Sequence, residues 1–153
     1  TKWNELLLFE KESADLLDAT LDMDEEAVAE SIEKIHMEYV SSIQYNDENS
    51  LSSVLSIAYL STLRYYFKPI RELPAGRGFA DFVFIPKPEY VEYYPALLIE
   101  LKWNKNAKTA LQQIKERKYP SALLQYTGNI LLVGINYNKK TKVHECKIEE
   151  FVK

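Results

Sequence analysis

A chain of 153 residues, 46% hydrophobic and 27% charged, suffices for one soluble domain with a sizeable core, or for a domain with a helical preface. No apolar run approaches the ~20 residues of a membrane span, no basic-then-apolar leader opens the chain, and the composition is neither disordered nor collagen-like, which sets the membrane, disordered and fibrous classes aside. The formal charge of −4 hides a polarity: residues 1–50 hold 3 Lys/Arg against 14 Asp/Glu, a net of −11, whereas residues 51–153 hold 16 against 9, a net of +7.

In chain order, 4–20 (NELLLFEKESADLLDAT) is expected to be a helix with Leu6, Leu7, Phe9, Leu16 and Leu17 as a loose apolar stripe. DMDEEAVAESIEKIHMEYVSSI follows, opening on acids suited to a helix N-terminus, with Val28, Ile32, Ile35 and Tyr39 at helical spacing. After the turn formers of 45–49, SLSSVLSIAYLSTLRYY predicts one more helix, burying Leu51, Val54, Leu55, Ala58, Tyr59 and Leu63. The period then turns extended. FKPIREL reads as an edge strand because of Pro69, PAGRG as a turn, and FADFVFIP and YPALLIELKW as two strands. NAKTALQQIKERKYPSALLQY returns to helix with Ala107, Ala110, Leu111 and Ile114 inward, NILLVGINY is a fully buried strand, and VHECKIEEF closes the chain. The order is helices, then β-β-β-α-β-β.

Strand alternation sets Glu100 and Lys102 on the face of Leu98, opposite the apolar Leu97, Ile99 and Leu101. A hairpin would bring Asp81, two residues before Val83 and just past the Gly76–Gly78 turn, beside Glu100. Two carboxylates in a half-buried place repel, and an uncompensated buried charge costs several kcal/mol. Salt bridges, Glu100 with Lys102 or Asp81 with Arg77, are the ordinary remedy. A divalent cation is the other: Mg²⁺ takes one or two carboxylates, keeps waters and leaves room for phosphate oxygens, and a neighbouring lysine can orient water or stabilise charge developing on phosphate. Asp…Glu-x-Lys on adjacent strands is therefore a kit for phosphodiester hydrolysis. The single Cys146 has no disulfide partner and no metal-ligand spacing, which favours a reducing, cytoplasmic setting. Thr1 rather than Met opens the chain, so a piece of a longer protein is expected.

GRGFAD (76–81), IELKW (99–103), ALQQIKERKYP (110–120) and the ILLVGINY strand together resemble the PD-(D/E)XK nuclease superfamily and, more narrowly, the nuclease-like domain at the C-terminus of bacterial AAA-ATPase-like proteins. The likeness runs over 45–151. It implies an α/β, restriction-endonuclease-like core at 45–153, with a central mixed sheet flanked by helices. Residues 1–44 would be an acidic helical segment, the end of an ATPase region of the same full-length chain or a linker from it. It also implies DNA as substrate, Mg²⁺ or Mn²⁺ as cofactor, Asp81 and Glu100 as metal ligands, the Leu101 carbonyl as a backbone ligand, and Glu48 as the acid of the first core helix. Lys102 takes the place of the catalytic lysine, Gln113 that of the glutamine on the following helix, and Tyr119 that of the tyrosine after it.

Two positions depart from the pattern: Ala80 replaces proline, and Leu51-Ser52 stands where an aromatic-His pair is expected. Lys105, Lys108, Gln113, Arg117, Lys118 and Tyr119 are the candidate nucleic-acid contacts, with Lys115 in the same basic run; a solvated helix face is the commoner explanation of such charges. Glu48 also suits a helix N-terminus on dipole grounds alone. Tyr93, Tyr94, Tyr119 and Tyr126 suit stacking on bases or packing in a core, and His36 and His144 read as isolated. A module that keeps the architecture without turnover, holding nucleic acid or docking its acidic front on the ATPase part, stays open beside the enzyme, as does a homo-oligomer.

Overall fold

Three capped helices come first. The computed structural model describes residues 1–71, 80–116 and 126–152. Thr1 Oγ1 accepts the Asn4 amide and starts α1 (Lys2–Leu21), and the Asp24 carboxylate accepts the Ala27 amide and starts α2 (Glu25–Tyr39). Asp47 and Ser50 satisfy each other's amides in a capping box at the head of α3 (Glu48–Ala58). The long helix expected over 51–66 breaks instead at Tyr59 into a 3₁₀ turn, Leu60–Arg64. The cause is a side chain from elsewhere: Ser13 of α1 donates its hydroxyl to the Ala58 carbonyl at 2.6 Å and accepts the Ser61 amide at 3.0 Å. Leu63, expected inside, is consequently 45% exposed. Leu6 and Leu7 are exposed as well, and with Trp3 they edge an open apolar groove of about 520 Å³ between α1 and the 3₁₀ turn.

The strands are β1 (Ile70–Arg71), β2 (Phe82–Phe84), β3 (Ala96–Trp103), β4 (Ile130–Asn138) and β5 (Val143–Glu150), with α4 (Ala107–Glu116) between β3 and β4. Among the described residues they form one sheet in the order β1-β2-β3-β4-β5, antiparallel except for the parallel β3–β4 pair. The expected β-β-β-α-β-β order and central mixed sheet are therefore present, and β1, with Pro69 before it, is an edge.

Alternation builds two cores. Phe82, Leu97, Ile99, Leu101, Val133 and Ile135 face the layer of α1, α2 and α3. Val83, Leu98, Leu132 and Ile130 face α4 through Leu111 and Ile114. Each fully buried Leu or Ile is worth roughly 1.5–3 kcal/mol of transfer free energy, so a one-residue slip in β3 or β4 would be severely unfavourable. The first 44 residues share the larger core through Leu16, Leu17, Val28, Ile32 and Ile35.

Part of the front's acidity is used to close the sheet. Glu33 Oε1 accepts the His144 amide and Glu25 Oε2 the Ile148 amide, each at 2.7 Å, so α2 caps the outward donors of edge strand β5. Here the histidines, far apart in sequence, meet. His36 stacks on Tyr45 with centroids 4.0 Å apart, and the Tyr45 hydroxyl lies 3.0 Å from His144 Nε2. His144 is 3% exposed; its Nδ1 stands 3.5 Å from a Glu33 oxygen already engaged by the backbone amide. Burial, with His36 nearby adding to it, lowers the His144 pKa to about 3, so this contact is made by a neutral ring.

An unfolded histidine titrates near pH 6.5. Between that pH and about 3 the unfolded chain binds a proton that the folded one refuses. Stability is therefore intact above pH 6.5 and falls as pH drops, by up to ~1.4 kcal/mol per unit. Urea unfolding at pH 7 and pH 5 should show a smaller acid loss in His144→Gln than in the wild type; equal losses would contradict the assignment.

Candidate active site

The site is set by where β2 stops. The β2–β3 register pairs Phe82 with Ile99 and Val83 with Leu98, and its next step puts Asp81 opposite Glu100, where paired residues share a face. Asp81 is the residue just before β2, and its carboxylate takes over from the strand: Oδ2 accepts the Leu101 amide at 2.7 Å. A strand residue's N–H and C=O point to the same side, so the Leu101 carbonyl is directed toward the Asp81 side too. Glu100 is 2% exposed, and half-buried Lys102 follows on the same face. The two residues lie about 7 Å apart along the strand. Among the described residues Lys102 makes no ion pair, so a Glu100–Lys102 bridge is not the device that offsets the buried carboxylate. The alternative bridge through Arg77 lies outside the described residues.

Strand β4 supplies the floor. Gly134 stands opposite Glu100 and Asn136 opposite Lys102. A Cβ at Gly134 would come within 2.5 Å of the Ala107 carbonyl oxygen and 2.8 Å of the Leu111 amide nitrogen, so the bare backbone is what lets α4 lie this close to the sheet. Asn136, buried, holds the β3–α4 turn from both sides: its Oδ1 accepts the Lys105 amide at 3.0 Å and its Nδ2 donates to the Lys105 carbonyl at 3.2 Å. Asn104 turns the chain at φ 55°, a conformation asparagine tolerates, with its amide donating to the Tyr137 carbonyl. Glu145 accepts the Ala107 amide at 2.6 Å and Asn106 that of Thr109 at 2.7 Å, satisfying donors at the head of α4. A glycine inside an apolar strand is itself a signal of close backbone approach; the roles of Asn136 and Glu145 depend on the fold and carry no such local signal.

The orientation of α4 sorts the basic run. Ala107, Ala110, Leu111 and Ile114 face the sheet as expected. Lys115 pairs with Glu149 on β5, which turns the Lys108/Lys115 flank toward that edge. Gln113 lies about 160° round the helix from Lys115, hence on the flank toward β3 and β2, where Glu100 and Asp81 stand. Lys105 and Lys108 are exposed, whereas Arg117, Lys118 and Tyr119 lie outside the described residues. Glu48 is an exposed first residue of α3, a helix on the sheet face opposite α4. Among the described residues no group of three or more His, Cys, Asp or Glu side chains is gathered as a metal cluster.

Two carboxylates and a backbone carbonyl are hard oxygen donors, the set that suits Mg²⁺ or Mn²⁺ and leaves positions for water and phosphate. A mixed sheet with an acidic pair where an antiparallel strand ends beside a parallel one, and a lysine two residues on, defines a restriction-endonuclease-like α/β domain. The sequence comparison agrees: residues 46–147, about two thirds of the chain, match the PD-(D/E)XK nuclease superfamily, and the chain belongs to it. No curated protein matches the chain. Among the described residues no helix is long and apolar enough to cross a membrane.

Proposed function

We propose that the chain is a metal-dependent nuclease domain that hydrolyses phosphodiester bonds of DNA. The observation that carries this reading is the Asp81 carboxylate fixed on the Leu101 amide, one register step from Phe82–Ile99 and so opposite buried Glu100. Asp81, Glu100 and the Leu101 carbonyl would hold Mg²⁺ or Mn²⁺, with Glu48 reaching it directly or through water. Bound there, the cation supplies Lewis acidity to a phosphate oxygen and to water. Lys102 sits beside that place on the same face, where its ammonium stabilises negative charge developing on phosphorus-bound oxygen and orients the attacking water. Gln113 positions the substrate from α4. Lys105, with Arg117, Lys118 and Tyr119, contacts the DNA backbone; Lys108, on the β5 flank, contributes at longer range. An AAA-type ATPase region in the same full-length chain, ahead of a nuclease-like unit at 45–153, and a cytoplasmic setting complete the proposal.

A DNA cleavage assay with Mg²⁺ or Mn²⁺ tests it. The wild type should cut, and Glu100→Ala and Lys102→Ala should not; full activity in both variants would remove the proposed site. A second reading stands beside it, a nucleic-acid-binding or regulatory module without turnover: among the described residues no third His, Cys, Asp or Glu side chain is gathered with the two carboxylates. That reading predicts DNA binding in the wild type with no cleavage under either metal.

A further inference from the structure

Arg71 ends the edge strand β1, and the register pairs it with Phe82, the residue next to Asp81. Phe82 faces the α1–α3 layer, and Arg71 shares that face. Its guanidinium carbon lies 5.0 Å from the centroid of the Phe82 ring, and a terminal N–H donates to Ser52 Oγ on α3, one helical turn beyond Glu48. Arg71 thus bridges the end of the sheet and the head of α3, one strand over from Asp81 and on the sheet face opposite the one that carries the acidic pair and α4.

The manner of holding matters. A guanidinium lying on a ring and tied at one N–H has its plane fixed while its other N–H groups remain at the edge. Among the described residues Arg71 makes no ion pair, although the chain's first fifty residues are rich in carboxylates. An arginine serving only to staple β1 to α3 gains most by meeting a carboxylate; this one keeps its charge at an exposed position at the same end of the sheet as Asp81. Ser52, which accepts its N–H, is the position where the resemblance to the superfamily led us to expect histidine.

We propose that Arg71 binds a DNA backbone phosphate away from the one under attack, forming a second hold on the duplex from the edge strand and the α3 side of the sheet. The proposal rests on the nuclease reading above. Its test is the anisotropy of a short labelled DNA duplex titrated with the full chain over a range of NaCl concentrations, with divalent cation withheld so that nothing is cut. Arg71→Ala should weaken binding about 10-fold at low salt and reduce the slope of log Kd against log salt by about one, the signature of one lost phosphate contact. Arg71→Lys should keep the slope and lose part of the affinity. Should Arg71→Ala unfold, Arg71→Gln retains a donor for Ser52 without the charge, and its slope should fall equally. An unchanged slope in the Ala and Gln variants, with the wild type binding normally, overturns this inference alone. Absence of salt-dependent DNA binding by the wild type overturns it together with the nuclease reading.

Discussion

Glu100→Gln is expected to lower metal-dependent DNA cleavage on the order of 10³-fold without unfolding the protein. Glutamine keeps the length and an oxygen at the same place, so the packing of β3 against β2 and β4 is undisturbed. What it removes is a negative charge on a side chain only 2% exposed, set between Ile99 and Leu101 in the strand. The melting temperature of the metal-free variant should stay close to that of the wild type. Activity lost with stability retained marks a residue kept for chemistry; a fall in both would mean that Glu100 serves the fold.

Gly134→Ala should strike the fold itself, costing about 3 kcal/mol of stability in urea unfolding, the upper part of the range for overpacked cores. The added methyl would meet the Ala107 carbonyl oxygen and the Leu111 amide nitrogen, both backbone atoms of α4 that no rotamer change can move aside. Relief requires the helix to lift from the sheet beside Glu100, or the parallel β3–β4 ladder to bow. Either shifts Gln113 relative to the acidic pair, so cleavage should fall as well, even at temperatures where the variant is folded. A change within 0.5 kcal/mol would contradict this packing.

These two positions also show what the sequence made legible. The alternation in ALLIELKW placed Glu100 and Lys102 on one face before any coordinates, and the continuous apolar run of β4 marked a strand covered on both sides. The acids at the head of α2, the succession of strands and helix along the chain and the inward face of α4 were equally local signals. What escaped was set by contacts between distant segments. The α3 break follows from a hydroxyl forty-five residues away, Ser13 on Ala58. His36 and His144 looked isolated because only the folded sheet brings both to Tyr45. The basic run around α4 seemed a single patch until Lys115 met Glu149 and showed that Lys108 and Gln113 look in different directions. The site followed the same division: the residue types and their spacing were readable, whereas the Asp81 bond to the Leu101 amide, the Asn136 clamp and the placement of Arg71 belong to the fold.

Calorimetric titration of Mn²⁺ into the wild type, Asp81→Asn and Glu100→Gln tests the shared cation seat most directly. Specific binding in the wild type that disappears in both variants is the predicted result. Binding that survives both substitutions, or none in the wild type with DNA present, would contradict a site built on Asp81 and Glu100.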